Sequence, residues 1–141
     1  MIRVATLDDL ESVLKLEQTF GAEAFTKKSL RHFIMIGSTL ILEENEPIGY
    51  SIVLFRKRST LARLYSIAIA EPYQGKGYGR LLLESSESFA IAKGCDRMGL
   101  EVSENNVPAR SLYEARGYGG ARRLSWGYND GSAALRLSRS F

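Results

Sequence analysis

The stretch Ile67-Ala68-Ile69-Ala70-Glu71-Pro72-Tyr73-Gln74-Gly75-Lys76-Gly77-Tyr78-Gly79-Arg80 decides the fold. An apolar strand runs into a proline, then a glycine-rich turn, then a helix rich in leucine. That order leaves a row of backbone N–H groups without partners at a helix N-terminus, where they and the helix dipole favour an anion such as phosphate. Gly75, Gly77 and Gly79 lack a Cβ, which lets the main chain adopt positive φ and approach a bulky pyrophosphate.

Two common phosphate loops do not fit. A nucleoside-triphosphate loop of the Gly-x-x-x-x-Gly-Lys-Ser/Thr type needs a hydroxyl after its lysine, and Lys76 is followed by Gly77. A dinucleotide turn needs Gly-x-Gly-x-x-Gly, and Gly75-x-Gly77 is followed by Gly79 with Arg80 at the position of the last glycine. What remains is Gln74-x-x-Gly77-x-Gly79. Taken alone, it also fits a glycine-rich turn that merely caps a core helix.

The chain of 141 residues suits one domain, 1–141, with a core of its own. Its apolar content of 45% and charged content of 25% are those of a globular protein. The single Cys95 excludes an internal disulfide and fits a reducing compartment, so a cytoplasmic location is expected. No apolar run reaches membrane-spanning length, and Met1-Ile2-Arg3-Val4 has no signal-peptide layout, so no membrane association is expected. A net charge of +3 gives no case for nucleic acid. Arg116, Arg122, Arg123, Arg136 and Arg139 make the end of the chain more basic, which fits a solvated face, an acidic partner or cofactor phosphates.

Working outward from the loop, Ile2–Ala5 reads as a first strand and Thr6-Leu7-Asp8-Asp9 as a capping-box-like helix start. Leu10, Val13 and Leu14 follow helical spacing, and Thr26–Ile36 reads as a second helix. Strands at Thr39–Glu43 and Ile48–Phe55 flank the polar turn Glu44-Asn45-Glu46-Pro47. Leu61–Ala70 is a strand whose continuous apolar character from Leu64 predicts burial on both faces. A helix is expected from about Gly79 to Lys93, a strand at Arg97–Val102 and a helix at Asn106–Arg116 capped by Asn106. Strands at Tyr118–Gly127 and Ala133–Ser138 flank Asn129-Asp130-Gly131. The order β-α-α-β-β-β-α-β-α-β-β predicts an α/β fold with a mixed sheet.

A second pattern lies in Leu100-Glu101-Val102-Ser103-Glu104-Asn105-Asn106-Val107-Pro108-Ala109-Arg110-Ser111-Leu112-Tyr113-Glu114-Ala115-Arg116-Gly117-Tyr118. Together with Gln74-x-x-Gly77-x-Gly79 it resembles the GNAT N-acetyltransferase superfamily, through Asn106, Ala109, Leu112, Tyr113, Gly117 and Tyr118. Within it, Leu100-Glu101-Val102 and Leu112-Tyr113-Glu114 look most like the ribosomal-protein-alanine N-acetyltransferases, and Leu16-Glu17-Gln18 agrees more loosely. Those proteins often carry Glu-Asp-Ala in the last hairpin, where this chain has Gly131-Ser132-Ala133-Ala134.

The resemblance implies a single-domain GNAT-like fold, a mixed central sheet with a splay between two parallel strands, flanked by helices. It implies acetyl-CoA as donor, bound along the backbone of Ile67, Ala68 and Ile69. The amides from Gln74 through Gly75, Lys76, Gly77, Tyr78 and Gly79 to Arg80 would hold the pyrophosphate, and Asn106 would add a cofactor hydrogen bond beside its role as helix cap. Glu101 is the candidate general base. A carboxylate within the strand alternation Met98–Val102 is costly to bury unless it meets a cleft or a cation. Tyr113 is the candidate general acid, because a phenol can donate its proton. The acceptor would be a primary amine on a protein N-terminus. A small-molecule amine (polyamine, amino sugar or antibiotic-like) or a non-catalytic acyl-CoA-binding module are the alternatives. Cys95 and the lone His32 have no partner in the pattern, and no metal is expected. A homodimer is compatible with the chain.

Overall fold

The computed structural model describes the backbone of residues 1–141 and every side chain except that of Ala22. Strand β1 (Ile2–Val4) leads through Thr6 into a short 3-10 turn, and helix α1 (Leu10–Glu17) follows. The carboxylate of Asp9 accepts from the Thr6 amide at 2.8 Å, so an Asp serves where a capping box usually has Glu or Gln. The same carboxylate takes both terminal nitrogens of Arg3 at 2.8 and 2.9 Å, and Arg3 Nε reaches Glu43 at 2.8 Å.

The Arg3 guanidinium holds the buried Asp9 carboxyl below its ordinary range. Its contribution to stability is therefore complete above the unfolded value of about 3.9 and is lost as pH falls through the lower folded value. Asp9→Asn is expected to cost about 1.5–3 kcal/mol at neutral pH. It should also shrink the acid-induced drop in the urea midpoint, measured from about pH 5 to about pH 2.

Thr26 caps helix α2 (Lys27–Met35), accepting from the Ser29 amide at 3.2 Å. Strands β2 (Thr39–Glu44) and β3 (Glu46–Leu54) meet at Asn45, whose φ of 64° makes the turn tighter than the expected four residues. Pro47 falls inside β3 opposite Glu43. Strand β4 (Leu61–Ile69) leads through a 3-10 turn and the glycine loop to α3 (Tyr78–Ala92). Then come β5 (Arg97–Ser103), α4 (Val107–Ala115), β6 (Gly119–Gly127) and β7 (Ala133–Ser140).

The seven strands form one sheet in the order β1-β2-β3-β4-β5-β7-β6. Every neighbouring pair is antiparallel except β4–β5, which α3 joins as a parallel crossover. The expected mixed sheet, with helices on both sides, is the fold observed. Alternation along β2 sorts the faces. Ile41 packs with Leu10, Val13, Leu30 and Ile34 of α1 and α2, whereas Leu40 and Leu42 pack with Leu82 of α3. Tyr113 of α4 joins Leu64, Leu83, Leu100 and Leu137 on the α3 face.

The buried Glu87 of α3 accepts from Arg116 at 2.5 Å, Arg139 at 2.9 Å and the Tyr118 hydroxyl at 2.9 Å. This links α3 to the end of α4 and to β7. Burial, then the Glu87 charge, pushes the Tyr118 phenol well above its ordinary pKa.

One expectation is corrected. β4 is not buried on both faces: Ala62 and Leu64 are buried, but Ile67, Ala68 and Ile69 are half-buried. The reason is that β5 leaves β4 before those residues are reached.

Candidate active site

β4 and β5 pair only from Leu61–Leu64 to Arg97–Leu100. Beyond that point β4 continues against β3 up to Ile69, and β5 continues against β7 up to Ser103. The two parallel strands therefore splay, and the β5-facing backbone groups of Tyr65–Ala68 meet no strand. A register shift in β4 leaves Tyr65 as an extra residue between the Val53–Leu64 and Ile52–Ser66 pairs. The predicted residues Ile67, Ala68 and Ile69 form one wall of this cleft. Their side chains pack into the clusters beneath, which leaves their backbone for an incoming chain.

At the end of that wall the Gln74 side chain donates to Ile69 O at 2.9 Å, fixing the loop against the strand. Gly75 and Gly77 have φ of 75° and 87°, a region that L side chains avoid. Gly79 does not share this need. It is helical, and a Cβ there would meet Leu112 at an ordinary 3.5 Å. The first bond of α3 runs from Leu81 N to Gly77 O at 3.1 Å, so the amides of Tyr78, Gly79 and Arg80 precede it and have no acceptor in the helix. The loop thus leaves free amides at a helix N-terminus, the local arrangement that the glycine spacing predicts. Lys76 lies over the Tyr73 ring at 5.9 Å, and Arg80 pairs with Glu84 at 2.8 Å, so Arg80 is already partly neutralised. Gly77→Ala is expected to raise the KM for acetyl-CoA several-fold. It should also cost about 1–2 kcal/mol in a denaturant melt, because the residue must stay left-handed.

Asn106 caps α4, its Oδ1 accepting from the Ala109 amide at 3.3 Å. Two turns on, Tyr113 is 6% exposed and packs edge-on against Tyr118, with 6.0 Å between ring centres. Among the described residues, its hydroxyl has no hydrogen-bond partner. Burial pushes its pKa well above that of a free phenol, and the nearby Tyr128 adds to the shift, so Tyr113 stays protonated through the neutral range.

Glu101 lies on β5 between Leu100 and Val102, which join the Tyr113 cluster, so its own side chain points to the opposite face of the sheet. The two candidate residues therefore flank the splay from opposite sides. Sequence reasoning did not foresee the company Glu101 keeps. Its Oε1 accepts from Arg136 at 2.7 Å and from Arg63 at 3.1 Å, while Oε2 has no partner among the described residues. Arg136 stands directly across from Glu101 in the β5–β7 register, and Arg63 is paired with Gly99.

Contacts distant in sequence bring further groups near Glu101. Glu23 Oε1 accepts from the Asn129 amide at 2.7 Å, bringing the segment after α1 against the tip of the β6–β7 hairpin. Burial raises the pKa of Tyr128 at that tip, and the charges of Glu101 and Glu23 add to it. Glu17, at 1% exposure, is a further residue the sequence did not single out as functional. It accepts from the Tyr50 hydroxyl, from Ser66 Oγ at 2.9 Å and from the Phe25 amide at 2.8 Å. It thereby ties the segment before α2 to β4 next to the Tyr65 bulge. Cys95 is buried in the core, and burial raises its thiol pKa. No described group of His, Cys, Asp and Glu is arranged to hold a metal. Among the described residues, no helix is long and apolar enough to cross a membrane.

Residues 9–118 match the acetyltransferase (GNAT) family, and the chain belongs to that family. It is an N-acetyltransferase by descent. It is similar to an N-alpha-acetyltransferase of Saccharolobus solfataricus, 27% identical over 98% of this chain and 91% of the relative. It also resembles the ribosomal protein bS18-alanine N-acetyltransferase of Haemophilus influenzae, 40% identical over 55% of this chain and 51% of that protein. Its fold matches the crystal structure of a NatC complex bound to Gag peptide and CoA. There the TM-score is 0.88 at 21% identity, covering 100% of this chain and 98% of the matched one.

Proposed function

We propose that this chain transfers the acetyl group of acetyl-CoA directly to a primary amine, with a protein N-terminus as acceptor. The observation that carries the reading is the splay itself, flanked by the open Oε2 of Glu101 on one face and the unpartnered Tyr113 hydroxyl on the other. The pantetheine of acetyl-CoA would pair with the free edge of β4 at Ile67, Ala68 and Ile69. The amides from Gln74 to Arg80 would bind the pyrophosphate, and Asn106 would border the same side.

Glu101, directly or through a water, takes a proton from the acceptor ammonium. The neutral nitrogen attacks the thioester carbonyl, the N–C bond forms, the nitrogen releases its extra proton to solvent and the C–S bond breaks. Tyr113 gives its proton to the departing thiolate. The relatives named as N-alpha-acetyltransferase and ribosomal-protein-alanine N-acetyltransferase support a protein N-terminus as acceptor.

A small-molecule amine is the second reading. The hairpin motivates it, because Ser132, Ala133 and Ala134 stand where the related pattern has acids. Ser132 instead bonds Ser103 at 2.5 Å and Asp130 at 2.6 Å. The test is acetyl transfer to peptides beginning with Ala, Ser, Thr or Met, each with a free or a blocked N-terminus, beside a polyamine and an amino sugar. Turnover confined to free N-termini is expected. Turnover only of the small amines would select the second reading, and CoA binding without any transfer would reduce the chain to a binding module.

A further inference from the structure

The sheet face that carries Glu101 holds more guanidinium than its own carboxylates use, and we infer that the accepted amine carries a carboxylate close to it. This rests on the acetyl-transfer reading above. Arg122, Arg136 and Glu101 are successive cross-strand partners of β6, β7 and β5, so they share one face of the sheet. Arg63 joins that face from β4, opposite Gly99 and two residues ahead of Glu101 in register.

Two guanidiniums thus meet one carboxylate, and a third, Arg122, shares the face without pairing to it. Each has five N–H donors, yet Arg63 reaches Glu101 through one nitrogen and Arg136 through one, both onto the same oxygen. Arg136 Nε is buried with no acceptor. Arg122 makes no ion pair among the described residues. Like charges directly opposite each other in a sheet are destabilising, and Arg122 and Arg136 are so placed. A bound anion would relieve that repulsion and supply the missing acceptors.

The neighbouring acids are otherwise engaged. Glu104 accepts from the Ala133 amide at 3.2 Å and lies 3.7 Å from Arg123, Asp130 holds Ser132, and Glu23 holds the Asn129 amide. Glu101 and Arg136 are partly exposed on this face and Arg122 is exposed, so a carboxylate a few atoms from a nitrogen that meets Glu101 would lie within reach of Arg136 or Arg122. Such a group belongs to a peptide with Asp or Glu as second residue, or to a small amine that is itself an acid. Arginine suits either, since its fork meets a carboxylate through two donors at once.

The test compares kcat/KM for wild-type enzyme on two sets of acceptors. One set is peptides that begin with Ala and differ only in having Glu, Gln or Lys at the second position. The other is β-alanine beside β-alanine amide. A preference of about tenfold or more for the acid is expected in at least one set, and the set that shows it tells peptide from small molecule. Arg136→Gln should bring that ratio towards unity through the KM of the acidic acceptor. Arg122→Gln, at an exposed position, should lower it in the same way even if Arg136→Gln fails to fold. Ratios near one in both sets, or a preference for Lys, would overturn the inference while leaving acetyl transfer intact. A ratio that neither variant changes would overturn it too. No transfer to any amine would overturn the underlying reading, and this inference with it.

Discussion

Tyr113→Phe is expected to lower kcat about a hundredfold or more, within the range for loss of a positioned general acid. The KM for acetyl-CoA should change little, since the cradle at Gly75–Arg80 is untouched. The prediction separates chemistry from packing. The Tyr113 ring belongs to the core cluster and is kept by Phe, whereas its hydroxyl has no partner to lose among the described residues. A purely structural tyrosine would therefore tolerate the change with an unaltered urea midpoint and unaltered kcat. Rates should be followed from acidic to mildly alkaline pH. Because burial holds the phenol well above its ordinary pKa, an alkaline loss of activity near neutrality should not arise from Tyr113.

Glu101→Gln is expected to lower kcat/KM for the amine by about two to three orders of magnitude, as loss of a positioned base does. The shape of the side chain survives, so the loss reports the carboxylate. A smaller fall in stability of about 1 kcal/mol should accompany it, because Arg63 and Arg136 lose a half-buried counter-charge. The decisive comparison is between the two readouts. A variant that melts earlier yet acetylates within a few-fold of wild type would reduce Glu101 to a counter-ion for the two arginines. If Glu101 and Tyr113 act on one transition state, the double variant should lose less than the product of the single losses.

The parts of the site readable in the sequence were those built from consecutive residues. Gln74–Arg80 and Asn106–Tyr118 each lie on one local element, and a glycine at a left-handed turn or an Asn at a helix start leaves a mark in the chain itself. The order of strands and helices was legible for the same reason, with boundaries shifted by one or two residues, as when α3 begins at Tyr78 instead of Gly79. Gly79 shows the limit even inside a motif, since its lack of a Cβ is not required by backbone conformation or by space. The contacts of Glu101 were not legible. They depend on β7 lying between β5 and β6, so that Arg136 stands across from a residue 35 positions earlier. Glu23, Arg63 and Tyr128 escaped notice because each stands alone in sequence, with a partner from another element, and Glu17 was legible only as part of a loose pattern.

By itself the sequence determined the class of fold and the glycine loop: a strand, a glycine-rich turn and a helix N-terminus leave free backbone amides wherever the chain places them. Their chemistry is that of neighbouring backbone groups. Only the tertiary structure decided where β4 parts from β5, which face of the sheet Glu101 occupies, and that three arginines share that face with it. Those outcomes follow from strand register, and a single-residue slip would send every side chain of a strand to the other face.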